Sequence, residues 1–147
     1  MGSRTAGEGD VVLDSWIEAV RSWAGNREDV IGVLLVGSYA RGVPTPSSDL
    51  DFVVLVSDIR PYLSDHEWAR AFGMVIRDEH ENWGQVQSLR VWYEDGAEVE
   101  WGLTTLAWIA DPLDPGTRKV LGDGYRIIFD RDGVLSSHLA PFDHRDV

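Results

Sequence analysis

Apolar positions fall along this chain in blocks whose period changes several times. Val12, Leu13, Trp16, Ile17, Val20 and Trp23 recur at helical spacing. They predict a helix from Asp10, which can cap it, to about Ala24, with Gly25-Asn26 as its stop. Val30 to Val36 carries no polar side chain and reads as a strand buried on both faces. Gly37-Ser38 ends that run and opens a short helical turn, which Gly42 and Pro44 cut off. A second buried strand, Asp51 to Val56, starts directly on a carboxylate. Pro61 and Ser64-Asp65 precede a helix predicted from about Asp65 to Ile76, with Trp68, Ala71, Phe72 and Val75 as its inner stripe. Arg77 to Gln85 is charged and has no period, so it is read as irregular.

Ser88 to Tyr93 and Glu98 to Thr104 alternate and are joined by Glu94-Asp95-Gly96-Ala97. An Asp-Gly pair between alternating segments is the strongest hairpin signal in the chain. Asp114-Pro115 opens a short helix that ends near Gly122. Tyr125 to Phe129 is the last predicted strand, closed by the turn Asp130-Arg131-Asp132-Gly133, and no period follows from Ser136 onward. No repeat or linker interrupts this order. The reading is one mixed α/β domain over residues 10–135, with 1–9 as a disordered or expression-derived leader and 136–147 as a tail.

Composition narrows the classes. An apolar content of 44% with seven tryptophans can fill a core. No apolar run is long enough to cross a bilayer and no signal pattern opens the chain, so no membrane role is expected. With no cysteine there is no disulfide or thiolate chemistry, and the location expected is cytoplasmic. His66, His80, His138 and His144 show no metal-ligand spacing and are assigned to the surface. A formal charge of −12 argues against a sequence-independent grip on nucleic acid, and it suits cationic partners or metal-bridged anions.

The candidate chemistry begins at Ser48-Asp49-Leu50-Asp51. In a strand, Asp49 and Asp51 share a face, and two such carboxylates repel unless a cation lies between them. If the sheet places the hairpin strand beside them, Glu100 adds a third carboxylate. Hard oxygen donors in this number suit Mg²⁺, and two such ions can activate an attacking oxygen and stabilise a leaving pyrophosphate. Gly37-Ser38 at a helix start can hold phosphate oxygens, with Arg41 one turn on. The ordered set points to nucleotidyl transfer. Glu98 shares the face of Glu100 and is assigned to a solvated strand start ahead of a fourth metal ligand. Trp16, Trp23 and Trp68 are assigned to the core; Trp83, Trp92, Trp101 and Trp108 are assigned to packing or a partner interface ahead of base stacking. The Asp130–Gly133 segment is a turn and not a calcium loop.

Gly37-Ser38 with Asp49-x-Asp51 resembles the signature of the DNA polymerase β-like nucleotidyltransferase superfamily. Val56-Ser57-Asp58-Ile59, Trp68 with Phe72-Gly73, Val99-Glu100-Trp101-Gly102-Leu103-Thr104 and Ile127-Ile128-Phe129-Asp130-Arg131-Asp132-Gly133 are similar to stations of the aminoglycoside (streptomycin) 6-adenylyltransferases. The resemblance runs from about Val12 to Leu135 and covers only the catalytic domain of that family. It implies an α/β nucleotidyltransferase fold, a mixed β-sheet flanked by helices. It also implies ATP or another nucleoside triphosphate as substrate, two Mg²⁺ ions, and AMP moved to an acceptor hydroxyl with release of pyrophosphate. Carried onto these residues, Asp49 and Asp51 are metal ligands, and Glu100 is the third ligand and general base. Gly37 and Ser38 cradle the triphosphate, with Arg41 and Ser48 beside it.

Two departures stand out. The family's third carboxylate is usually aspartate, and here it is glutamate. The chain also ends where the family's helical C-terminal domain begins, which leaves the acceptor open between a small molecule such as an aminoglycoside and a protein partner. A minimal, antitoxin-like module that binds a protein partner, and a degenerate nucleotide-binding domain, are the alternative readings. A homodimer sharing an acidic cleft would suit a cationic acceptor.

Overall fold

The computed structural model describes residues 5–44, 49–110 and 112–140. Ser48, His144 and the last residues of the tail lie outside them. Six strands form one mixed sheet in the order β3-β4-β5-β2-β1-β6. They are β1 (Val30–Val36), β2 (Leu50–Val56), β3 (Val75–Trp83), β4 (Val86–Tyr93), β5 (Glu98–Thr104) and β6 (Arg126–Asp130). Every neighbouring pair is antiparallel except β2 and β5, which run parallel.

β1 and β2 are apolar on both faces because both faces are covered. Helix α1 (Thr5–Gly25) lays Leu13, Trp16, Ile17, Val20 and Ala24 against one side, where Val33, Leu35, Phe52 and Val54 point. Leu34, Val36, Val53 and Leu55 alternate to the other side. There they meet Trp108 and Ile109 of a 3₁₀ turn (Leu106–Ile109), Leu121 of α4 (Pro115–Asp123), and Leu135 and Leu139 of α5 (Val134–Leu139). Asp114 caps α4 by accepting the Thr117 N–H at 2.9 Å, as the Asp-Pro start implies. None of the described helices is long and apolar enough to cross a membrane.

Trp101 is the hub of the α1 side. It is fully buried, stacks on Phe52 at 5.2 Å between centroids, and lies 4.7 Å from Phe72. Its Nε1 donates to the Tyr93 hydroxyl at 3.3 Å, which donates in turn to the Ala69 carbonyl at 2.8 Å. We expect Trp101→Ala to cost about 3–5 kcal/mol, a large share of a single domain's stability, read as a collapse of the urea midpoint.

Three stretches differ from the sequence reading. Helix α1 begins at Thr5, ahead of Asp10. The helix expected from Asp65 to Ile76 is instead a short α3 (Arg60–Ser64) followed by a 3₁₀ turn (Glu67–Phe72). Gly73, at φ +151°, ends that turn, and the chain becomes β3 through the segment read as irregular. β3 is an edge strand with little buried on either face, so no alternation marks it; Arg77, Asp78, Glu79 and Glu81 are the charges that discourage further pairing. Finally, α5 covers Ser136–Leu139, because the Asp130 carboxylate accepts the N–H groups of Leu135 and Ser136 at 2.8 and 3.0 Å. Two buried leucines four apart are too brief a signal to show a period.

Candidate active site

The turn and both strands of interest meet at one end of the sheet. The parallel register of β2 and β5 sets Asp51 directly beside Glu100, and the β1–β2 register sets Asp51 opposite Val36. The chain leaves Val36 through Gly37, at φ +77°, into α2 (Gly37–Arg41). A Cβ at Gly37 would lie 3.1 Å from Asp51 Oδ2 and 3.2 Å from Asp51 Cβ. Both the backbone conformation and the close approach therefore call for glycine. Gly37→Ala should cost about 1–2 kcal/mol, checked by thermal melts.

A cation already lies among the carboxylates. Arg90 of β4 faces Glu100 across the hairpin. Its Nη1 donates to Asp49 Oδ2 at 2.9 Å and to Glu98 Oε2 at 2.7 Å, and its Nη2 donates to Glu100 Oε1. Glu98 is thus an ion-pair partner and not a merely solvated strand start. Ser88 hydrogen-bonds Glu100 from the same strand as Arg90.

Charge is crowded here. Burial, then the neighbouring Glu100 and Asp49 carboxylates, push Asp51 up from the ordinary 3.8 to about 7, against the pull of Arg90. Burial also raises Glu100, with Asp49 and Glu81 adding to it and Arg90 and Ser88 opposing. Burial works against the charge on Arg90, but the surrounding carboxylates outweigh it and its pKa is raised. No hydrogen bond joins Asp51 to Arg90 among the described residues, so the negative charge of Asp51 is the least compensated of the group.

This donor set fits a hard divalent cation in chemistry: all oxygen, partly buried, and with more negative charge than one guanidinium balances. The arrangement is not a ready-made ion cage, for no three Asp, Glu or His side chains among the described residues gather as one. Arg90 fills the space between Asp49, Glu98 and Glu100 instead.

Of the residues singled out in the sequence, Gly37, Asp51 and Glu100 are brought together, and Asp49 joins them through Arg90. Ser38 follows Gly37 at the start of α2. Arg41 is exposed, and its stem lies by the C-terminal end of α4, where a Cβ on Gly124 would be 3.5 Å from Arg41 Cγ. Ser48 is outside the described residues. Arg90 and Ser88 escaped the sequence reading, although counting back from the Asp95-Gly96 turn places Arg90 opposite Glu100.

The family model of the streptomycin adenylyltransferases matches residues 13–146. The chain belongs to that family. No curated protein matches the sequence. Among solved structures, an aminoglycoside 6-adenyltransferase from Bacillus subtilis superposes with a TM-score of 0.50 at 18% identity, over 63% of this chain and 34% of that one. The polymerase core of TRAMP, an RNA surveillance complex, gives 0.46 at 23% identity, over 69% and 32%. Cid1 with its short product ApU gives 0.46 at 16% identity, over 62% and 29%. This streptomycin adenylyltransferase family member therefore spans about a third of the length of these solved chains. Its fold is the α/β, polymerase β-like nucleotidyltransferase fold, a mixed sheet flanked by helices.

Proposed function

We propose that this domain transfers AMP from ATP to an acceptor hydroxyl, with Mg²⁺ and with release of pyrophosphate. The observation that carries the reading is Asp51, set beside Glu100 on parallel strands and packed against the Gly37 turn. Family membership supports it. Asp49, Asp51 and Glu100 would hold the ions, which when bound supply charge neutralisation for the triphosphate and the leaving pyrophosphate.

The chain's own residues do the rest. Gly37 brings backbone N–H groups close to the phosphates, and Ser38 adds its hydroxyl; Arg41 and Ser48 are assigned to the same anion. The acceptor oxygen forms a bond to the α-phosphorus while the bond to the bridging oxygen of pyrophosphate breaks. Glu100 takes the acceptor's proton, and burial, which raises its pKa above the ordinary carboxylate value, makes it a stronger base for that step. An aminoglycoside or another small polyol, or a protein, is the acceptor class in this reading. The experiment is incubation of the pure protein with Mg²⁺, each nucleotide labelled at the α-phosphate, and a panel of acceptors. Label appearing on an acceptor together with pyrophosphate supports the proposal; pyrophosphate release from no nucleotide sinks it.

One observation favours a second reading. Arg90 neutralises three of the carboxylates internally, which suits a domain that binds nucleotide without turning it over. Under that reading ATP binds and no acceptor is ever labelled.

A further inference from the structure

β3 closes one side of the sheet and, among the described residues, forms a ladder with β4 alone. At nine residues it is the longest strand of the sheet, although edge strands are usually kept short. We propose that this edge docks an extended, basic segment of a partner protein, which adds to the sheet as a seventh strand. The proposal does not depend on the transfer reading above.

Three features set the occupant. The first is the open backbone and the apolar surface beside it. In an antiparallel ladder every second residue of an edge strand turns its N–H and C=O away from its neighbour. β3 therefore offers a row of such groups to an incoming strand, and main-chain bonds of this kind supply affinity. Met74, just before β3, and Ile76 are 66% and 67% exposed, and Trp83 at the end of β3 is 62% exposed. They are three of the five exposed large apolar side chains among the described residues.

The second is a cavity of about 370 Å³ between the start of β3 and the 3₁₀ turn Glu67–Phe72. Val75 and Ile76 form its apolar part, and Asp65, Glu67 and Asp78 its acidic part. It lies on the face of the sheet that α1 covers: Asp78 pairs with buried Val91 of that side, and His66 reaches Asp78 at 3.4 Å. Asp51 and Glu100 point to the opposite face, since Phe52 and Trp101, which follow them, point to the α1 side. A strand added to β3 would set one of its alternate side chains in this cavity, and such pockets supply specificity.

The third is charge. β3 carries one arginine against three carboxylates, Asp78, Glu79 and Glu81. Arg77 lies over the Trp92 ring at 3.9 Å and pairs with Glu79 at 3.6 Å, and Arg70 in the cavity is engaged by Glu67 at 3.7 Å. The acids outnumber the arginines, and both arginines already have partners. A strand bearing Lys or Arg is therefore favoured, and an acidic strand or a nucleic acid is disfavoured. The charges that discourage indiscriminate pairing thus select the partner. A second copy of the chain is a poor occupant: it brings the same acidic excess, and full overlap of two β3 strands sets Glu79 against Glu79.

The test uses the full chain and three fluorescein-labelled octapeptides, followed by fluorescence anisotropy. One alternates Lys and Val, one alternates Glu and Val, and the third is the Lys-Val peptide N-methylated at every second residue. The Lys-Val peptide should bind and the Glu-Val peptide should not. The N-methylated peptide keeps its charge and loses ladder donors, and it should bind about tenfold or more weakly than its parent. Ile76→Lys and Glu79→Lys, both at exposed positions, should each weaken the Lys-Val peptide by about fivefold or more while the melting temperature holds. No binding of the Lys-Val peptide at roughly 1 mM protein, where weak binding is still visible, overturns the proposal. So does binding that neither variant weakens, or an N-methylated peptide that binds as tightly as its parent, which would leave charge alone as the attraction. Displacement of the Lys-Val peptide by Mg-ATP overturns it too, by giving the peptide to the carboxylates around Asp51. A dimer in sedimentation that Ile76→Lys dissolves would give the edge to a second copy, and so overturn it.

Discussion

Asp51→Asn should abolish transfer and yet raise the melting temperature of the metal-free protein at pH 8. The first effect follows from removing the carboxylate at the centre of the proposed ion site, at least a thousandfold in rate on the order seen for essential charge-stabilising groups. The second follows from proton linkage. The folded state holds a proton on Asp51 up to about pH 7, while an ordinary carboxylate releases it near 3.8. A raised acid pKa means that the folded state binds the proton more tightly, so stability falls as pH rises between those values. A shift of this size corresponds to at most about 4 kcal/mol at pH 8. Asparagine keeps the shape and carries no charge. The gap in melting temperature between variant and parent, measured in chelator, should be small at pH 4, widen up to about pH 7, and stay level above it. Adding Mg²⁺ should narrow it by stabilising the parent alone. A variant less stable than the parent at every pH would show that burial of Asp51 is compensated in some other way.

Arg90→Met is the second large effect, and its two parts have opposite signs. Without the guanidinium, Asp49, Glu98 and Glu100 face one another unopposed. Removing one partner of a partly buried network is destabilising. Asp49 and Glu98 are about a third exposed, and water screens part of the loss, so about 2 kcal/mol is expected in chelator. Divalent cation affinity in the absence of nucleotide should rise about tenfold, because an incoming ion no longer competes with an internal one. Mn²⁺ titration followed by electron paramagnetic resonance reads this without any turnover. A fall in Mn²⁺ affinity would mean that Arg90 holds the carboxylates in place for the ion and does not compete with it.

Much of the sheet was legible because its central strands carry the plainest pattern. Val30–Val36 and Phe52–Val56 are apolar at every side chain for a physical reason: helices cover both faces. The Asp95-Gly96 turn fixed the hairpin, and with it the position of Glu100. β3 was hidden because an exposed edge strand has no buried face to impose a period. α5 was hidden because its start depends on Asp130 reaching forward to Leu135 and Ser136, a contact that spacing alone does not announce.

The site divides in the same way. Asp49, Asp51, Glu100 and the Gly37 turn lie in local motifs or on a strand whose position the hairpin sets. Arg90 counted as one more alternating polar residue, and only the cross-strand register reveals that it is paired with three acids.

The most direct test of the central claim is a calorimetric titration of ATP into the parent protein and into Asp51→Asn, each with Mg²⁺ and with chelator. ATP should bind the parent only when Mg²⁺ is present, and Asp51→Asn should lose that binding while remaining folded. Binding of ATP that is indifferent to Mg²⁺, or that survives in Asp51→Asn, would contradict the account.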